Sequence, residues 1–296
     1  MFKGLFPPIP TPFVGEEFSP AHLTGNIGRW NELPIEGYVV LGSNGEAPLL
    51  DEHERAAVVR TAFEAIPSER TMIVGAGRES TRATMRSVKE AFSLGADAVL
   101  VGVPSYFKPA MTDEVLREHY LRVADASPGP LLLYSVPYFT GIPIGPTLFA
   151  ELIGHDRIVG IKDSSGDPES LRGMIEAARA RGRDISVLIG SARALAAGLE
   201  MGAAGSVLAL AVVAPRACAE IAALIASGKT EPARRRNEEL LPLAEAVTRR
   251  HGIGGLKAAL DLLHFYGGDP RPPLPPAGPA ARAEIAELLK RLGLLT

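Results

Sequence analysis

The sequence predicts an α/β protein, a (β/α)8 TIM barrel with a helical C-terminal extension, and three observations carry that expectation. Short apolar runs rich in β-branched residues alternate about eight times with amphipathic helical stretches, and the order never switches. The 296 residues fit one barrel of roughly 250 residues plus an appendage. After the eighth helical stretch the alternation stops and only helical pattern follows. An open doubly wound sheet is the structural rival.

Taken in order, the strand-like runs are Gly4–Phe6, Gly37–Leu41, Met72–Val74, Ala98–Val101, Leu131–Tyr134, Val159–Lys162, Ser186–Ile189 and Ser206–Leu208. Helical patterns fill the gaps over Pro20–Glu32, Glu52–Ala65, Thr81–Leu94, Asp113–Ala126, Pro146–Ile153, Pro168–Arg181, Ala192–Met201 and Pro215–Ala226. Ser19-Pro20 and Asp167-Pro168 each place a capping side chain before a proline at the first helical position, and Ser80 and Thr112 are similar caps. Helical segments then follow over Glu231–Arg250, Leu256–Phe265 and Ala280–Leu292, the last after a proline-rich stretch from Gly267 to Pro279. We therefore expect a barrel over residues 1–228 and a helical extension over 229–296 packed on its outside.

Composition narrows the function classes. With 46% hydrophobic and 22% charged residues the chain reads as an ordinary globular protein with a sizeable core. A net charge of −3 gives no reason to expect nucleic acid or an anionic membrane as partner. The Arg234-Arg235-Arg236 run sits beside Glu238 and Glu239 and reads as a solvated helix face. A single cysteine, Cys218, cannot form an internal disulfide and suits a reducing compartment. No leader pattern and no membrane-spanning run is recognisable, so the expected location is cytoplasmic.

In such barrels chemistry gathers where strands end and loops begin. The sixth run, Ile158-Val159-Gly160-Ile161-Lys162, stops at a lysine and passes into Asp163-Ser164-Ser165-Gly166. Burial there disfavours an ammonium, and a neutral amine in a dry pocket can attack a ketone to form a Schiff base. The alternatives are a lysine that snorkels to water or pairs with Asp163. Gly42-Ser43-Asn44-Gly45-Glu46 follows the second strand; its freed backbone N–H groups and short polar side chains suit a small anion such as a carboxylate, or make a plain strand-to-helix turn. Tyr134 ends the fifth strand, either as packing or as a proton relay for a nearby amine. Tyr106 lies in a Pro-Ser-Tyr-Phe-Lys-Pro loop whose aromatics also suit an oligomer contact. Gly190-Ser191 repeats the strand, glycine, serine design and offers a further carboxylate donor.

Other chemistry is weakly signalled. Gly75-Ala76-Gly77 lacks the third glycine and the acidic follow-up of a dinucleotide fingerprint. The six histidines show no metal-ligand spacing, and no Gly-x-Ser-x-Gly elbow is present. Neither a metal nor a cofactor is expected.

The joint order and spacing of Gly42-Ser43-Asn44-Gly45-Glu46, Tyr134-Ser135-Val136-Pro137 with Thr140-Gly141, and Gly160-Ile161-Lys162-Asp163 resembles the dihydrodipicolinate synthase / N-acetylneuraminate lyase family of class I, pyruvate-handling aldolases. The resemblance spans essentially the whole chain. It implies that Lys162 forms a Schiff base with pyruvate, that Tyr134 relays protons, and that Ser43 and Asn44 bind the pyruvate carboxylate, with Ser43 also assisting proton movement. It implies that Tyr106 reaches into a neighbouring subunit's site, which requires a homo-oligomer, a dimer or tetramer. A backbone contact falls near Val207, and Ser135, Gly190 and Ser191 complete the expected substrate-binding set. Dihydrodipicolinate synthases usually carry two threonines where this chain has Ser43-Asn44, and an arginine clamp for the aldehyde's carboxylate where it has Phe139. Loss of that clamp removes a charge-assisted contact of roughly 1.5–3 kcal/mol. Ser43-Asn44, Tyr134-Ser135, Lys162-Asp163-Ser164 and the stretch Ala246–Ile253 are more similar to 4-hydroxy-2-oxoglutarate aldolases. The expected activity is thus cleavage of that 2-oxo acid to pyruvate and glyoxylate. The rivals are dihydrodipicolinate synthesis and, from another class, a non-catalytic pyruvate-binding regulator.

Overall fold

In the computed structural model, which describes residues 1–295, eight strands form the principal sheet. They are β1 (Gly4–Leu5), β2 (Gly37–Val40), β3 (Thr71–Gly75), β4 (Ala98–Gly102), β5 (Leu131–Ser135), β6 (Ile158–Asp163), β7 (Ser186–Ile189) and β8 (Gly205–Ser206). Their order in the sheet is β1–β8–β7–β6–β5–β4–β3–β2, so sequence neighbours are sheet neighbours and β8 returns to β1. Pro8 and Val39 make a further parallel bridge beyond the end of β1. This is the strand arrangement of a (β/α)8 barrel, as expected. The strands read as continuous apolar runs because both faces are covered: Val39, Ile73, Val99, Val101, Leu131, Leu132, Leu133 and Ile161 are all buried.

Helices α1 (Pro20–Asn31), α2 (Glu52–Ala65), α3 (Thr81–Ser93), α4 (Asp113–Ala126), α5 (Pro146–Leu152), α6 (Pro168–Ala180), α7 (Leu195–Met201) and α8 (Pro215–Ala226) follow the strands in turn. Most of the expected caps form. Asp167 accepts from the Glu169 N–H at 3.0 Å, Ser80 from Ala83 at 3.2 Å and Thr112 from Val115 at 3.4 Å. Ser19 departs from expectation: its hydroxyl pairs with Nδ1 of His22 at 2.8 Å and leaves the first turn of α1 without a side-chain cap. Asp51 and Glu54 form a reciprocal capping box at α2.

By contacts, the chain divides into two compact units. One comprises Met1–Gly4 and Met72–Val207; the other comprises Leu5–Thr71 and the chain from Leu208 onward. In the second unit lie α9 (Thr230–Glu245), a π-helical turn over Ala246–Arg250, α10 (Gly252–Leu262) and α11 (Pro279–Arg291). There Trp30 of α1 donates its indole N–H to the Val212 carbonyl, and Asn26 bridges both backbone groups of Tyr266 at 2.8 Å. Helix α10 begins four residues before the expected Leu256. A Cβ on Gly254 would sit 2.5 Å from the Pro275 carbonyl oxygen, so glycine there is a packing requirement and not a helix stop. A short antiparallel pair, Phe13–Val14 with Glu17–Phe18, also belongs to this unit. Cys218 is buried in α8, and Arg234 and Arg236 pair with Glu231 and Glu239 on the surface of α9. Among the described residues no helix is long and apolar enough to cross a membrane.

One packing feature of the first unit predicts a pH dependence of stability. His119 of α4 is buried, its Nδ1 lies 2.9 Å from the Thr81 hydroxyl, and its Nε2 has no hydrogen-bond partner. Burial, with a smaller contribution from Arg122, pulls its pKa from 6.5 down to about 4. The unfolded chain therefore binds a proton that the folded one refuses between those values. The stabilisation is complete above the unfolded pKa and is lost as pH falls toward 4, by about 3 kcal/mol at most. Urea denaturation between pH 7 and 4 should show a shallower pH slope for His119→Gln than for the parent; equal slopes would assign the dependence elsewhere.

Candidate active site

The sixth strand carries its lysine to the end of the sheet. Lys162 is 4% exposed, and parallel register sets it between Tyr134 on β5 and Leu188 on β7. Cα partners in adjacent strands face the same side of a sheet, so Lys162 and Tyr134 project together. The Lys162 Nζ lies 4.2 Å from the Tyr134 ring centroid. Lys162 makes no ion pair among the described residues, and the snorkelling alternative does not describe so buried a side chain. Pairing with Asp163 does not occur either. Asp163 is the next residue along the strand and faces the opposite side, where its carboxylate accepts from the Ser165 hydroxyl at 2.7 Å and the Ser165 N–H at 3.3 Å. Burial raises the Asp163 pKa, opposed by its bonds to Ser165 and Ser135.

Ser135 is fully buried on the Asp163 side, and its Oγ accepts the Ile144 N–H at 3.2 Å. Its hydroxyl thus ties the chain after β5 to the strand end. Gly190 donates its N–H to the Asp163 carbonyl at 2.6 Å, and a Cβ there would lie 2.0 Å from the Ser164 Oγ. Only glycine lets the β6 and β7 loops approach this closely. Ser191 begins the turn over Ala192–Ala194, and Val207 is buried with its N–H donated to the Ile189 carbonyl at 2.8 Å. Tyr106 behaves differently. It is 80% exposed, packs edge-on against Phe107, and is held through its backbone N–H to Glu79 Oε2 at 2.9 Å. Tyr138 and Phe139 make a second exposed edge-on pair in the same unit.

The glycine turn belongs to the other unit and is described there. Gly45 donates to the Gly42 carbonyl at 3.0 Å and Glu46 to the Ser43 carbonyl at 3.1 Å, two successive tight turns. Thr11, the residue at the end of the first strand region, donates its hydroxyl to the Gly45 carbonyl at 2.7 Å, and Asn44 donates its side-chain N–H to the Pro8 carbonyl at 3.1 Å. The turn is flanked by two non-glycine residues in the left-handed region, Leu41 at φ 57° and Glu46 at φ 54°, a conformation that costs about 1–2 kcal/mol per residue. Sequence reading missed Glu46's role. It also missed Lys257, whose signal was legible: a lone charge in the apolar run Leu256-Lys257-Ala258-Ala259-Leu260.

With this geometry in hand, the comparisons with known proteins are informative. The profile of the Dihydrodipicolinate synthetase family matches residues 1–292. The chain is similar to a DapA-like lyase of Halobacterium salinarum, 36% identical over 272 residues that cover 92% of this chain and 88% of the relative. It is similar to the 4-hydroxy-tetrahydrodipicolinate synthase of Methanopyrus kandleri, 33% identical over 296 residues, 99% of this chain and 97% of the relative. Among solved structures it resembles the dihydrodipicolinate synthase of Thermotoga maritima, with a TM-score of 0.93 at 32% identity over 100% of both chains.

Proposed function

Because the chain belongs to the dihydrodipicolinate synthetase family and is a class I lyase, we propose that it cleaves 4-hydroxy-2-oxoglutarate to pyruvate and glyoxylate through a Schiff base on Lys162. The observation that carries this reading is the placement of Lys162: a buried amine at a strand end, without an ion pair among the described residues, beside a tyrosine ring. Lys162 Nζ attacks the C2 ketone, and loss of water gives an iminium. The substrate's C4 hydroxyl gives up its proton as the C3–C4 bond breaks; the electron pair flows into the iminium, leaving an enamine and releasing glyoxylate. Protonation at C3 and addition of the water lost earlier return pyruvate and the free amine. The imine is itself the electron sink. Tyr134, with Ser43, moves protons; Ser43 and Asn44 take the carboxylate next to the ketone, and Gly190, Ser191 and Val207 shape the rest of the site. Ser135, expected to bind substrate, instead acts from the opposite side of the strand by anchoring the Ile144 N–H.

Three residues support the aldolase over the synthase. Ser43-Asn44 stands where synthases usually carry two threonines, and Phe139, 61% exposed, stands where the resemblance puts their arginine clamp. The names of the relatives favour the second reading, condensation of pyruvate with aspartate semialdehyde. Borohydride reduction in the presence of pyruvate should leave a covalent adduct on Lys162 under either reading, and its absence would remove both. Parallel turnover assays then separate them: we expect glyoxylate release from 4-hydroxy-2-oxoglutarate to exceed condensation with aspartate semialdehyde at least about tenfold in kcat/KM, the factor expected from losing one charged contact. The reverse ranking would assign the synthase. An adduct without turnover in either assay would favour the regulator.

The exposed Tyr106–Phe107 and Tyr138–Phe139 pairs suit a homo-oligomer, dimer or tetramer, in which Tyr106 serves a neighbouring subunit.

A further inference from the structure

The most deeply buried ion pair of the second unit joins the glycine turn to the C-terminal helices. Lys257 of α10 is fully inaccessible; its Nζ lies 2.6 Å from Glu46 Oε1, 3.1 Å from the Asp269 carbonyl oxygen and 4.4 Å from the centroid of the Phe13 ring. The contact with Oε1 is ionic and falls outside hydrogen-bond geometry. Glu46 Oε2 accepts the Arg271 backbone N–H at 2.8 Å. The Arg271 guanidinium stacks on the same Phe13 ring at 4.3 Å and grips Glu54 at two points, 2.6 and 2.7 Å, while also reaching the carbonyls of Leu49 and Glu16.

A buried pair of this kind seldom adds stability over an apolar replacement, because both charges must be desolvated. Its role has to be sought in what it holds. Glu46 closes the Gly42–Glu46 turn in the left-handed region, and both of its carboxylate oxygens are engaged by residues beyond 250 in the chain. Non-glycine residues stay in that region only where their surroundings over-determine them. On the other side, Gly45 has no slack: a Cβ there would come within 3.2 Å of the Leu41 backbone. The turn is thus fixed by its own tight packing and by the clamp on Glu46.

We propose that Lys257 and Arg271 are positioning residues which, through Glu46, lock the turn in the conformation that presents Ser43 and Asn44 to a 2-oxo acid carboxylate. The C-terminal helices, which carry no reacting group, thereby set the affinity for the acid. This rests on the reading of Ser43 and Asn44 as the carboxylate site.

The test is the full-length double variant Glu46→Gln/Lys257→Met, which removes both charges together so that neither is left buried alone; the Asp269 carbonyl loses its Lys257 donor. The pyruvate concentration giving half-maximal borohydride trapping should rise at least about tenfold, in line with the sensitivity of reactions to ångström-scale misplacement, while the adduct yield at saturating pyruvate stays at the parent level. Glu46→Asp, which keeps the charge but shortens the reach, should give a smaller rise and serves if the double variant does not fold. A lowered melting temperature with unchanged half-saturation in a folded variant would overturn the proposal and leave the pair a purely structural feature. Failure of the parent itself to trap pyruvate would instead overturn the functional reading, and this proposal with it.

Discussion

Lys162→Ala should abolish borohydride trapping of pyruvate and lower turnover by roughly 10⁴-fold or more, about 5 kcal/mol of transition-state stabilisation. The size follows from the role: without a primary amine no iminium forms, and the bond-breaking step loses its electron sink. Folding should survive, because Lys162 makes no ion pair among the described residues whose loss would strand a buried carboxylate, and the neighbouring Asp163 is satisfied by Ser165. Lys162→Arg sharpens the test. It places a permanent positive charge beside the Tyr134 ring, but a guanidinium cannot be deprotonated in a protein and forms no imine. If charge alone served catalysis, Lys162→Arg would retain activity while Lys162→Ala lost it. The expected result is that both are equally inactive, by adduct mass measurement and by glyoxylate release.

The strand–helix alternation was legible because parallel strands buried on both faces write themselves as short apolar runs. Ser186–Ile189 and the helices Glu52–Ala65, Asp113–Ala126 and Pro215–Ala226 are found with the bounds expected. The sixth strand extends one residue beyond Val159–Lys162 at each end, to Ile158 and Asp163, because backbone pairing continues to both, at Asp163 under a side chain that carries no strand signal. Lys162 and Tyr134 were recognisable as strand-end residues, and register explains why they face the same way. The clamp on Glu46 was not legible. Its partners lie more than 200 residues away in sequence, as the Arg271–Glu46 bond illustrates, and a left-handed glutamate leaves no mark in composition or periodicity. Lys257 did leave one, a charge where the helix pattern calls for an apolar residue, but a partner cannot be named from such a mismatch alone. The helix expected from Leu256 begins at Gly252, and Gly254 lies inside it because the chain at Pro275 passes too close for a side chain.

Tyr134→Phe is the second large effect, and it separates chemistry from packing. The substitution keeps the ring that lies 4.2 Å below the Lys162 Nζ and removes only the hydroxyl. A tyrosine that merely filled space, buried as this one is, would tolerate the change with little loss of activity. A proton relay would not: positioned acid–base groups contribute typically 10²–10⁴-fold, and kcat should fall by about that range while KM changes little. Pyruvate should still be trapped on Lys162, more slowly, because the amine and the carboxylate-binding residues are untouched. Exchange of the pyruvate methyl hydrogens with deuterated water reports enamine formation and reprotonation without the aldehyde, and it should slow in parallel with kcat. Trapping and exchange at parental rates would reduce Tyr134 to a packing residue and move the relay to another group, whereas loss of trapping with normal exchange has no place in a scheme where the enamine forms only from the imine.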